Sequence, residues 1–266
     1  MTAKTLLIIS GGPEAAAVAR HAKALGHTVV MSDSDPQAPG FAFADSCLIA
    51  DVQGAPETAA AAERYSRKIR RIDGVVCLAD AALTLAMVAE RLRLTALPRH
   101  VAELAADRLA VKRCFQSAGV PSPWFAEIST PQELQRAVIA RGRDLRVLPV
   151  ENRGPEGVAN LAETEDFGAA FLAARAASPS ERVMVEQYGD AVEVAGLMQA
   201  GRCHSDAQDG MGGMLGRAAA ALGIADGPVA GVIVTQPGGP QIGEISPRLA
   251  LDGALLDTAI RQALNG

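Results

Sequence analysis

Short apolar runs alternate with helical patterns through the first hundred residues, and this alternation predicts an α/β fold built on a doubly wound, Rossmann-like parallel sheet with right-handed crossovers. Composition points the same way. Hydrophobic residues make up 49% of the 266-residue chain and aromatics only 3%, so the interior must be assembled from Ala, Leu, Val and Ile, as helices stacked on parallel strands require. The turns between the runs are short and marked by Gly and Pro, which places successive elements next to one another.

Leu6-Leu7-Ile8-Ile9 reads as a buried strand broken by Gly11-Gly12-Pro13. A helix from Glu14 to Leu25 stops at Gly26, and His27 to Met31 forms a second strand that ends in the polar Ser32-Asp33-Ser34-Asp35-Pro36. Cys47 to Ile49 is a third strand, Ala55 to Arg70 a helix of mixed charge, Gly74 to Ala79 a fourth strand and Ala82 to Leu92 a further helix. The turn Ser10-Gly11-Gly12-Pro13 invites comparison with a dinucleotide fingerprint. The third glycine position is absent, however, and Pro13 removes an N–H donor. A tight turn without a cofactor is the better reading.

The pattern changes near His100. One Ala-rich helix is expected over Val101 to Ala118, then a rigid connector from Val120 to Trp124. Strands follow at Phe125–Ile128 and Leu145–Val150, separated by a helix from Pro131 to Ala140. The loop Glu151–Gly157 leads to a short strand at Val158–Leu161, a helix over Glu165–Ala177, and strands at Arg182–Tyr188 and Val192–Met198. Gly201 to Gly216 is polar and Gly-rich, with Gly210-Met211-Gly212-Gly213-Met214 expected as a flexible loop. A helix to Leu222, two strands around Val232 and Ile242 and a closing helix complete the chain.

Several function classes are disfavoured. A formal net charge of −5 and one Trp with two Tyr supply neither the basic footprint nor the stacking platform of a nucleic-acid binder. Cys47, Cys77, Cys114 and Cys203 form no CxxC pair and the four His are scattered, so the thiols read as reduced and no metal cluster is expected of them. The apolar run Thr5–Ser10 is too short for a signal peptide, and no run approaches the roughly 20 apolar residues of a membrane span. The expected compartment is the cytoplasm.

Strand, Gly-rich loop, strand and helix precede Val185-Glu186-Gln187-Tyr188-Gly189-Asp190-Ala191-Val192-Glu193, and Ile242-Gly243-Glu244-Ile245-Ser246-Pro247-Arg248 follows near the end. In that order they resemble the ATP-grasp superfamily, of the carboxylate–amine ligase type related to carbamoyl-phosphate synthase and biotin carboxylase. The opening Ile9-Ser10-Gly11-Gly12-Pro13 onward is similar to the pre-ATP-grasp domain that leads those enzymes. The resemblance covers nearly the whole chain. It implies a pre-ATP-grasp domain over residues 1–98, an ATP-grasp N-lobe over 99–190 and a shortened C-lobe over 191–266. It further implies ATP held between two lobes, magnesium on acidic residues, and a small-molecule carboxylate activated as an acyl phosphate for attack by an amine or thiol. Nucleic acid and membrane are not implied partners; a homodimer is.

Residue by residue, the resemblance puts Glu186 at the segment that passes the adenine edge and Glu193 where ribose hydroxyls are held. Arg108 matches a basic residue that reaches the phosphates, whereas Lys112, one turn later, is expected to be a surface charge. Arg153, Gly154 and Gly157 fall in the phosphate-covering loop, Glu244 at a magnesium ligand and Arg248 at its basic catalytic partner. Departures accompany these matches. Leu148 stands where a phosphate-binding Lys is usual, Ser246 where an Asn ligand is common and Gly231 where an earlier acidic ligand falls, and the segment 201–216 is short. The expectation is an ATP-grasp ligase-like protein with weak or lost phosphoryl transfer, or else a non-catalytic nucleotide-binding or scaffold protein of the same fold.

Overall fold

The long apolar run after the N-terminus becomes the centre of a parallel sheet. In a computed structural model that describes residues 3–151, 154–208, 210–236 and 238–265, β1 (Thr5–Ile9) lies between β2 (Thr28–Asp33) and β4 (Gly74–Cys77), with β3 (Ser46–Ile49) outside β2. All pairings are parallel. Every residue of β1 is buried, because a central parallel strand is covered on both faces and has no use for polar alternation. The edge strand β3 does alternate. Helices α1 (Ala15–Ala24), α2 (Ala55–Lys68) and α3 (Ala82–Leu92) supply the crossovers. The Gly11 N–H donates to Asp33 Oδ2 at 2.7 Å, and a Cβ on Gly11 would lie 2.9 Å from Ala38 Cβ. The glycine turn is thus filled by the protein's own carboxylate, which repels phosphate.

The single helix expected over 101–118 is two, α4 (Arg99–Ala106) and α5 (Arg108–Ser117). Asp107 divides them: its backbone is extended and its carboxylate accepts from Ala110 N, an N-cap of the kind that ends one helix and starts the next. An antiparallel sheet of order β5-β8-β6-β7 follows, from β5 (Phe125–Ile128), β6 (Leu145–Pro149), β7 (Ala159–Asn160) and β8 (Val183–Gln187). Helices α6 (Pro131–Arg141) and α7 (Phe167–Ala177) are capped by Thr130, which accepts from Glu133 N, and Asp166, which accepts from Ala169 N. One face of the sheet buries Leu145, Val147, Val183 and Val185 with Leu134 and Phe171. On the other face Leu148, Val150 and Met184 pack with Leu109 of α5.

The remaining strands, β9 (Ala191–Gln199), β10 (Arg202–His204), β11 (Gly227–Gln236) and β12 (Gly239–Ser246), form a sheet of order β10-β9-β11-β12. The glycine-rich segment read as a loop is instead the start of α8 (Met211–Ala221). A Cβ on Gly212 would lie 2.9 Å from Ser205 Cβ, and one on Gly216 2.7 Å from Cys203 Cβ. The glycines let the helix settle close on its neighbours, which offsets their poor helix propensity, about 1 kcal/mol each. The closing helix α9 (Gly253–Asn265) completes the core of the parallel sheet, where Leu256, Ala259, Ile260 and Leu264 join Leu6, Ile8, Val29 and Met31. By contacts the chain divides into two units, Met1–Glu103 with Ala195–Ala230 and Ser246–Gly266, and Leu104–Val194 with Gly231–Ile245. Among the described residues no helix is long and apolar enough to cross a membrane.

Two outcomes test this packing. A Cβ on Gly74, at the start of β4, would lie 2.4 Å from the Ala263 carbonyl oxygen of α9. Backbone cannot yield as a side-chain tip can, so Gly74→Ala should destabilise the chain by about 1–3 kcal/mol in urea unfolding. Cys77 is fully buried and burial pushes its thiol up to about 12, while Cys47 is exposed. Iodoacetamide at pH 8 should alkylate Cys47 in the native protein and Cys77 only after unfolding, as mass spectrometry of peptides would report.

Candidate functional site

Helix α5 lies along the face of the sheet that carries Leu148 and Met184, and its N-terminus is fixed to the end of β6. Arg108 N donates to the Val150 carbonyl at 3.0 Å and Arg108 Nη1 to the Pro149 carbonyl at 2.9 Å. Leu109 then packs on Leu148 and Met184, and Lys112, three residues on, falls on the same side of the helix. Strand alternation does the rest. β6 and β8 pair Leu148 with Met184 and Arg146 with Glu186, so Arg146 and Glu186 share the face that Leu148 and Met184 occupy.

Four charged side chains converge there. Lys112 Nζ lies 2.7 Å from Glu186 Oε2, with the side chains 3% and 2% exposed. Arg146 Nε donates to Glu186 Oε1 at 2.7 Å and Nη2 donates to Glu244 Oε1 of β12. The Lys112–Glu186 contact is an ion pair without the angles of a good hydrogen bond, and neither atom has a hydrogen-bond partner among the described residues. The Arg146 guanidinium also lies over the Tyr188 ring, 5.1 Å from its centroid. Burial by itself would lower the Arg146 pKa, but the Glu186 and Glu244 carboxylates outweigh it and hold the group above its ordinary value. The cavity bounded by Arg108, Lys112, Glu186 and Glu244 measures about 10 Å³, room for about one water. Lys112 and Arg146 balance Glu186 and Glu244, and the buried Arg108 on the same cavity adds a third cation.

The residues marked by sequence divide as follows. Arg108, Leu148, Gly154, Gly157, Glu186, Glu193 and Glu244 belong to the unit that contains this cluster, and Arg248 to the other. Arg153 lies outside the described residues. Glu186 turns its carboxylate to Lys112 and Arg146, and the adjoining Gln187 and Tyr188 N–H groups donate to the Trp124 and Asp144 carbonyls. Glu193 is exposed on β9. Leu148 is fully buried among Leu109, Val150 and Met184. Gly157 has a φ of +76°, and a Cβ there would lie 2.7 Å from Ala177 Cβ, so close approach to α7 already requires glycine. Lys112 overturns its expectation: it is 2% exposed, because a carboxylate buried at Glu186 needs a cation beside it. Arg146 was not singled out by sequence. Its signal was its place two residues before Leu148, on the same strand face, together with a lone Glu after the apolar Val183-Met184-Val185.

The implied ligands can be set against these residues. Glu244, the expected magnesium ligand, is bonded to Arg146, and the described residues hold no group of three His, Cys, Asp or Glu suited to a metal. A divalent cation at Glu244 would sit beside the Arg146 guanidinium and would need further oxygen ligands, such as nucleotide phosphates, to be held there.

No family model matches the sequence. A D-alanine–D-alanine ligase of Methylococcus capsulatus is 32% identical over 98 residues, which are 37% of this chain and 31% of that ligase. Among solved structures, an L-amino acid ligase from Bacillus licheniformis superposes with a TM-score of 0.75 at 19% identity, over 100% of this chain and 75% of its own. A biotin carboxylase–ATP complex from Campylobacter jejuni gives 0.76 at 16% identity, over 100% and 72%. A carboxyaminoimidazole ribonucleotide synthase from Aspergillus clavatus complexed with ATP gives 0.77 at 14%, over 99% and 77%. The fold is therefore that of the ATP-grasp ligases. This chain spans about three quarters of the length of those structures and under a third of the D-alanine–D-alanine ligase.

Removing one member of the buried cluster should be costly. Glu186→Gln leaves Lys112 and Arg146 without their shared anion and should lower stability by about 3–5 kcal/mol. Lys112→Met combined with Glu186→Met removes a cation and an anion together, and should destabilise by less than the sum of the two single changes. Urea unfolding of the four proteins in a double-mutant cycle reads the coupling.

Proposed function

We propose that this chain is an ATP-grasp ligase-like protein, derived from enzymes that activate a small-molecule carboxylate for attack by an amine or thiol, in which phosphoryl transfer is weak or lost. The observation that carries this reading is that Lys112 and Arg146 are each already paired with a carboxylate, Glu186 or Glu244. A phosphoryl group in transfer concentrates negative charge and depends on cations and donors aimed at it. Here Lys112 and Arg146 already face Glu186 and Glu244 at ion-pair distance, so nucleotide phosphates would have to displace carboxylates. Leu148, where the family resemblance implies a Lys, is buried against Leu109 and Met184 and offers phosphate neither charge nor donor. Removing one electrostatic partner of this kind typically slows an enzyme by on the order of 10²–10³.

What the reading retains is recognition of the nucleoside, through the segment from Glu186 to Glu193. ATP, ADP and AMP should then bind within roughly tenfold of one another, about 1.4 kcal/mol, whether or not magnesium is added. Titration calorimetry with each nucleotide, with and without magnesium, measures this directly. A parallel assay for phosphate release with mixed amino acids as carboxylate and amine donors should remain at background. ATP binding far tighter than AMP and only with magnesium, or amino-acid-dependent phosphate release, would overturn the proposal in favour of an active ligase.

A further inference from the structure

The unit that holds the parallel sheet contains a cavity of about 290 Å³ that plays no part in the reading above. Its walls are Val75 and Val76 of β4, Leu85 of α3, Leu97, Pro228 and Pro247. These walls are preformed: β4 is a sheet strand, two of the lining residues are prolines, and α9 is held so close to Gly74 that no Cβ fits between them. Such a space is about twice the volume of a cavity that holds benzene. An apolar group of about ten non-hydrogen atoms would fill it, at the small end of ligand pockets.

Among the lining residues Asp226 alone is charged. Its carboxylate is held in place from one side. Ala200 N and Gln262 Nε2 both donate to Oδ1, at 2.9 and 3.2 Å, and Oδ2 meets no donor among the described residues. The Gln262 amide is itself fixed, because its Nε2 also donates to the Met198 carbonyl at 3.2 Å. Both partners of that nitrogen are acceptors, so the amide has one sensible orientation. Asp226 is itself exposed, so the positioned carboxylate oxygen beside these apolar walls favours an ammonium over a neutral group by the modest amount of a solvated ion pair and disfavours an anion.

We infer that this cavity binds a small apolar amine, its hydrocarbon body against β4, Leu85 and the prolines and its ammonium at Asp226 Oδ2. Calorimetry on the full chain at pH 7 tests this with three probes of matched shape: phenethylamine, 2-phenylethanol and phenylacetate. The amine should bind saturably and the alcohol about fivefold more weakly, the factor that an ion pair of about 1 kcal/mol supplies, with the anion weakest. Asp226→Asn keeps an acceptor for Ala200 N and should bring amine and alcohol within about twofold of each other. Ala96→Trp, which places an indole in the chamber from a lining position, should abolish binding of all three. The absence of saturable binding by any probe, an amine preference that survives Asp226→Asn, or undiminished binding in Ala96→Trp would each overturn the inference. Nucleotide binding is read separately, so this result is independent of the function proposed above.

Discussion

Burying the Glu186 carboxylate governs much of what surrounds it. An ionised carboxylate removed from water is tolerated only beside cations and donors, and here Lys112 and Arg146 both meet it. That requirement fixes the rotation of α5, since Lys112 must reach β8 while Leu109 stays on Leu148 and Met184. It also fixes which face of β6 and β8 turns to α5, because a one-residue slip would send Arg146 and Glu186 into the apolar side with Leu134 and Phe171. Glu244 then accepts from Arg146 as a second carboxylate.

For the function proposed above, the consequence for chemistry is a matter of competition. Cations in a phosphoryl-transfer site work because their field is directed at the ligand, and a carboxylate at 2.6–2.7 Å absorbs much of that field first. On that proposal an active ligase and this chain would share the fold and differ in what Lys112 of α5 and Arg146 of β6 face.

A second constraint recurs in the glycines, and it is one of close approach more than of conformational freedom. Gly11 meets Ala38, Gly74 meets the backbone of α9, and Gly212 and Gly216 bring α8 against Ser205 and Cys203. In a chain with few aromatic residues, small side chains bring helices and strands together tightly enough to exclude water.

The sequence by itself determined the parallel sheet, its four strands and their helices, because apolar runs and Gly or Pro turns are local signals that burial on both faces leaves unmistakable. The order of the ATP-grasp-like segments was equally legible, since it is a property of the chain read along its length. Three features were decided only in three dimensions. Asp107 splits a helix because its carboxylate finds Ala110 N and Arg182, and helical propensity alone could not weigh that. The Gly-rich stretch became α8 because Ser205 and Cys203 lie where Cβ atoms would otherwise clash. Lys112 is buried and Arg146 half-buried because Glu186, 74 and 40 residues away in sequence, is buried between them. Local pattern registers apolar periodicity, but which charges neutralise one another depends on strand pairing and helix rotation, and these exist only once the chain has folded.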